Sequence, residues 1–143
     1  MMLYLDTSAL VKLYVDETRS EAVQHAVGQA DAVATSLLAY TEARAAFARS
    51  RRERRFTSQV YSRIVGAFEE DWNRYVVVEV TDGLVKAAGL LAESRALRGY
   101  DALHLASALN LQNRATVSVS FMAFDRQLMT AAKLEGLFSA ADL

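Results

Sequence analysis

Cysteine and proline are both absent from the 143-residue sequence. Without cysteine, disulfides, thiolate metal sites and cysteine nucleophiles are excluded together. Proline at its usual share of about 5% would supply several residues, and its lack suits a helix-rich chain with short connections. No stretch offers the ~18 uninterrupted apolar residues of a membrane span, and the opening MMLYLD lacks a basic region and breaks its apolar run at Asp6, unlike a signal peptide. A cytoplasmic location is the expectation. Excess charge is missing too: 23% of residues are charged, yet they sum to −1, so any pull toward nucleic acid must be local. Nor does a P-loop, GxSxG or HExxH motif compete for a catalytic role.

What is present fits one domain spanning 1–143, with 52% hydrophobic residues to build a core. The organising stretch is MMLYLDTSALVKLY, Met1–Tyr14. Large apolar residues run to Leu5, Asp6 follows, and Thr7, Ser8 and an apolar-periodic run come next, which spells a buried strand turning directly into a helix. In a parallel sheet Asp6 would stand at the carboxyl end of its strand, the edge where open α/β sheets bind ligands. Alone, Asp6 reads more readily as a helix N-cap accepting orphan backbone N–H groups, because such caps are common.

The rest of the chain repeats this grammar. Val15–Thr18 is a polar break, Ser20–Gln29 a helix, and Asp31–Thr35 a short strand. Ser36 caps a long helical pattern from Leu37 to about Arg55, with Glu42 near its beginning. Its far end holds Arg44, Arg49, Arg51, Arg52, Arg54 and Arg55, offset only by Glu53. These arginines read either as a solvated helix end favoured by the dipole or as a patch that forks onto phosphates. Thr57–Trp72 continues as helix. Tyr75–Val80 (YVVVEV) predicts a strand buried on both faces, and Thr81 and Asp82 open a helix to about Leu97. Arg98–Gly99–Tyr100 breaks it. Asp101 starts the deeply packed helix DALHLASALNLQ, in which His104, lacking a partner His or Cys at ligand spacing, reads as a structural histidine. Ala115–Phe124 is the next strand, Asp125 opens the following helix, Gly136 ends it as a C′ glycine, and Leu137–Ala140 forms an edge strand.

Alternating strands and helices with short connections predict a three-layer α/β/α sandwich around a mainly parallel sheet. Topology then puts Asp6 and Asp125 on one edge, and Glu42 and Asp101, near helix amino ends, reach it if their helices point the same way. Two like charges ~4 Å apart repel by about 4 kcal/mol at an effective dielectric near 20. A hard divalent cation, Mg²⁺ or Mn²⁺, would relieve that repulsion and could activate water for attack on a phosphodiester.

Four segments carry a resemblance: LDTSALVKLY around Asp6, EARAAFARSRRERRF from Glu42, RGYDALHLASAL around Asp101, and FMAFDRQLMTAAKLEGL around Asp125. In order and spacing the chain resembles PIN-domain ribonucleases, and among them the VapC-type toxins of toxin–antitoxin pairs. The resemblance implies that Asp6, Glu42, Asp101 and Asp125 are the catalytic and metal-binding acids, with Asp6 and Asp101 direct ligands of Mg²⁺ or Mn²⁺ and Asp125 able to act through a water. It lets Thr7 or Ser8 hold ligand or phosphate by hydrogen bonds, and on the nuclease reading Arg44 and the Arg49–Arg55 run, Arg49, Arg51 and Arg52 among them, would help to seat RNA. It further implies a small cognate antitoxin whose segment fills the cleft, and a homodimer. One position departs from the family pattern: Ala123 stands where a Thr or Ser often lies two residues before the last acid, so any hydroxyl contribution there is either lost or passed to Ser120. The competing readings are a PIN-type RNA-processing nuclease without an antitoxin, a catalytically silent RNA-binding module, and a haloacid-dehalogenase-like phosphatase. The last usually needs a second Asp where this chain has Ser8.

Overall fold

Leu3, Tyr4 and Leu5 are all fully buried although they point alternately to opposite faces, so the first strand, β1 (Met2–Leu5), is covered on both sides as a parallel strand must be. The structure, a computed structural model, describes residues 1–140. Residues 141–143, and with them the far end of the expected 1–143 domain, lie outside the described residues. After β1 come α1 (Thr7–Val11), α2 (Ser20–Gln29), β2 (Ala32–Ser36), α3 (Leu38–Arg52), α4 (Ser58–Trp72) and β3 (Val76–Val78). Then follow α5 (Asp82–Arg95), α6 (Gly99–Arg114), β4 (Val119–Met122), α7 (Arg126–Leu134) and β5 (Phe138–Ser139).

The sheet order is β3-β2-β1-β4-β5, and every pairing is parallel. Leu3 sits opposite Val33 on one side and Ser120 on the other. Two separate cores make this an α/β/α sandwich. Leu3, Leu5 and Met122 pack with Leu10, Val23, Phe47 and Phe68 of α1–α4, whereas Tyr4, Val119 and Phe121 pack with Leu84, Leu105 and Leu128 of α5–α7. Alternation along β1 and β4 thus assigns each strand residue to one layer. On the first side Phe47 and Phe68 meet edge-to-face at 5.4 Å, fastening α4 to α3 and steadying the helix that carries Glu42.

Several boundaries differ from the sequence pattern. α1 stops at Val11 because the Lys12 N–H bonds back to the Ala9 carbonyl in a tighter turn. Ser36 remains the last residue of β2, yet its hydroxyl accepts from the Leu38 N–H at 3.2 Å and so still serves the start of α3. α3 ends at Arg52, and Arg54 takes a left-handed φ of 60°. β3 is a correction of substance: YVVVEV reads as a strand buried on both faces, but β3 is the outermost strand on its side, with Val76 and Val77 only half-buried. β4 is confined to Val119–Met122, and α6 starts two residues before Asp101. Gly136, at φ 90°, occupies the left-handed position expected of it.

Candidate active site

Strand order reverses at the β1–β4 boundary, the place where open α/β sheets leave a crevice outside their carboxyl ends. Asp6 follows β1 and caps α1. Asp125 follows β4 and caps α7. Glu42, in the second turn of α3, and Asp101, in the first turn of α6, come in from the helical layers on either side of the sheet. All four acids line one cleft of about 370 Å³, together with Thr7 and Ser8. A larger hollow of about 540 Å³ lies beside β3, but Glu79 is the one acid on its wall.

Capping explains how the two strand-end acids are held. Asp6 Oδ1 accepts from the Ala9 N–H at 2.9 Å and the Ser8 hydroxyl at 2.7 Å, and Asp125 Oδ1 accepts from the Leu128 N–H at 2.9 Å. The N-cap reading of Asp6 and the catalytic one are therefore compatible, since one oxygen caps the helix and the other stays free for the cleft. Asp6 is only 5% exposed. Burial pushes its carboxyl above the usual range, and the charge of Asp101 adds to that, against attraction to His104 and the two hydrogen bonds.

Glu42 is held differently. Thr7 donates to its Oε1 at 2.5 Å, and His104 Nε2 lies 3.1 Å from both that oxygen and the Thr7 hydroxyl. With the Thr7 hydrogen on Glu42, Nε2 faces two acceptors, so the network assigns the ring hydrogen to Nε2. When neutral, the ring accepts at Nδ1 from the Tyr4 hydroxyl, 2.8 Å away. Burial raises the Glu42 carboxyl, but the His104 and Thr7 hydrogen bonds and attraction to the imidazole leave it below its usual range. His104 is thus structural, as the sequence suggests, but it also forms part of the cleft wall.

Arg98 caps the cleft. Its guanidinium lies 3.0 Å from Asp101 Oδ2 and 3.4 Å from Asp125 Oδ2, bridging two acids that would otherwise repel. By sequence pattern Arg98 and Tyr100 belong to a helix break and Phe124 to a strand, yet all three line the cleft.

The other expected substrate contacts are dispersed. Arg49 lines a second groove of about 420 Å³ that shares Thr7 and Ser8 with the cleft and also contains Lys12 and Arg55. Arg44 is turned away to Glu69 and Tyr40, each at 2.9 Å, and Arg51 to Ser58 and the face of Tyr61. Arg52 is exposed and outside both hollows. Ser120 is buried within β4 opposite Leu3, below the cleft, so it does not replace the hydroxyl missing at Ala123.

The PIN domain family model matches residues 3–134. The chain belongs to the PIN domain family. Two curated relatives of this PIN domain are the proteins named Ribonuclease VapC45 and Ribonuclease VapC49, from two strains of Mycobacterium tuberculosis. Each is 38% identical over 135 residues, covering 94% of this chain and 92% of the relative. Among solved structures, VapBC-1 from nontypeable Haemophilus influenzae matches with a TM-score of 0.65 at 18% identity, over 97% of this chain and 96% of that one. FitAcB from Neisseria gonorrhoeae matches with a TM-score of 0.66 at 16% identity, over the whole of both chains. At such identities the two structures speak for the fold, and it agrees with the sandwich described above.

Proposed function

We propose that this PIN domain, spanning 1–143, is a divalent-metal-dependent endoribonuclease acting in the cytoplasm as the toxin of a toxin–antitoxin pair. The observation that carries the reading is the convergence of Asp6, Glu42, Asp101 and Asp125 on one cleft in a chain 38% identical to proteins named ribonucleases. Among the described residues no three His, Asp or Glu side chains stand as a finished metal cluster. The donor set nevertheless fits a hard cation. Four carboxylates face the cleft, the hydrogen bonds to Asp6 and Glu42 fall on Oδ1 and Oε1 and leave Oδ2 and Oε2 for a ligand, and the Arg98 guanidinium already occupies a cation's place between Asp101 and Asp125.

A bound Mg²⁺ or Mn²⁺ would polarise the scissile phosphate and favour ionisation of the attacking water. The chain's own part is positional. The cap at α1 fixes Asp6, and Thr7 and His104 fix Glu42, while Arg98 stands in for the cation between Asp101 and Asp125. Arg49 and Arg55 share the single carboxylate of Glu53, yet unlike Arg44 they flank the adjoining groove and are suited to the RNA backbone. A mixed tRNA and rRNA pool should be cut with Mg²⁺ or Mn²⁺ and survive with chelator; RNA intact under every ion would contradict the reading. Co-expression with a small neighbouring open reading frame should relieve growth arrest if the cognate antitoxin fills the cleft, and sedimentation should give a homodimer.

Two further outcomes are expected. Arg98→Ala removes the cation that competes for Asp101 and Asp125, so Mn²⁺ should bind several-fold more tightly by calorimetry; weaker binding would make Arg98 a supporting group instead. Arg49→Ala with Arg55→Ala should weaken RNA binding and flatten the log–log salt slope by about 1.4, at about 0.7 per single-strand phosphate contact. An unchanged slope would return both to the solvated surface.

A further inference from the structure

Two of the cleft acids are each preceded by an aromatic residue, Tyr100 before Asp101 and Phe124 before Asp125, and both rings line the cleft beside them. The rings belong to different sides of the site. Phe124 packs against the α1–α4 core, while Tyr100 borders the groove between α5 and α6.

Neither ring is fully accounted for by folding. Tyr100 is 63% exposed and takes part in no hydrogen bond or ring contact among the described residues. Phe124 is half-buried, with the Arg19 guanidinium 5.2 Å from its centroid and the Lys12 ammonium, itself paired with Glu17 at 3.1 Å, 5.0 Å away. Arg19 holds a left-handed φ of 75° at the start of α2, a backbone state uncommon for a side-chain-bearing residue.

We propose that Phe124 and Tyr100 are nucleobase-stacking subsites on either side of the scissile phosphate, Phe124 and the Arg19 guanidinium forming a ring-plus-phosphate site for single-stranded RNA. The inference rests on the ribonuclease reading and adds how the substrate is gripped. A divalent ion in the cleft would engage the scissile phosphate alone, while the four acids still disfavour the flanking backbone, so groups at the rim must add affinity. Aromatic faces accept any base, and neighbouring cations take the adjoining phosphates. Ring and cation are found together at Phe124, and an unused ring at Tyr100.

The test separates stacking from charge. Affinity for a short single-stranded RNA is compared with that for an abasic ribose-phosphate chain of equal length, at one salt concentration, in an Asp6→Asn background that prevents cutting. RNA should bind the parent on the order of 10- to 100-fold more tightly than the abasic chain. Phe124→Leu and Tyr100→Ala should each shrink that ratio by about tenfold without changing abasic affinity, and Phe124→Trp should preserve it. Tyr100 is exposed, so its variant keeps the test decisive if Phe124→Leu folds poorly. A ratio unchanged in Tyr100→Ala and Phe124→Leu, or an equal loss for the abasic chain, overturns the proposal and leaves the rings to a protein partner. Cleavage of the RNA pool by the unsubstituted chain runs alongside. If it cuts while the ratio is unchanged, stacking fails and the nuclease stands; if it neither cuts nor binds RNA, the nuclease reading fails and takes the inference with it.

Discussion

Asp6→Asn is expected to reduce RNA cleavage to background while the metal-free protein becomes more stable. Asparagine caps a helix about as well as aspartate, so the Ala9 contact and the turn into α1 should survive. What disappears is a buried negative charge facing three other acids. Burial holds the Asp6 carboxyl above its ordinary 3.8, so the folded protein keeps this proton at pH values where the unfolded chain has lost it. Stability from this group is therefore fully present below the ordinary value and is lost as pH rises through the raised one. The gain in Asp6→Asn should appear at pH 7 and vanish near pH 3, as read by urea unfolding in chelator. Wild-type cleavage by the variant would remove Asp6 from the site. Lower stability at pH 7 would mean that its charge is compensated within the protein.

The second large effect is expected at His104, which is 2% exposed. His104→Ala leaves a cavity and strips partners from the Tyr4 hydroxyl and from Glu42 Oε1. The loss should be about 2–4 kcal/mol in chemical unfolding, from the cavity and the unpaired polar groups together. Freed from His104, the Glu42 carboxyl should rise, because burial is the largest influence on it and is now less opposed. Groups that orient metal ligands typically matter 10- to 100-fold, so Mn²⁺ affinity and cleavage should fall by about that much. His104→Gln, which keeps an N–H donor near Glu42, should recover part of the affinity. If Mn²⁺ affinity is unaffected while stability falls, His104 serves the fold alone.

Asp6 and Asp125 were legible in the sequence because both sit in the same local phrase, a hydrophobic strand, an acid and a helix, and a parallel sheet sends every such acid to one edge. Glu42 and Asp101 needed the direction of α3 and α6 as well, which periodicity does not give. The family resemblance supplied their roles, and the cleft brings them together. The arginine run misled through composition: Arg44 finds Glu69 on the following helix, a partner 25 positions away that no local pattern reveals. β3 misled in a related way, since an apolar run tells that a strand can be buried but not which strands flank it. His104 had a usable signal. It lies three residues after Asp101 on one helix, which puts the two side chains on the same face, and the aromatic-acid pairs at 100–101 and 124–125 were equally visible. Ser120 carries a hydroxyl three residues before Ala123, but β4 takes it down into the sheet.

Whether four carboxylates remote in sequence together hold divalent metal is measured most directly by Mn²⁺ titration of the unsubstituted protein beside Asp6→Asn, Glu42→Gln, Asp101→Asn and Asp125→Asn. Saturable binding in the parent, weakened in every variant and most in Asp6→Asn and Asp101→Asn, is the predicted result. Equal Mn²⁺ binding by parent and variants would contradict it.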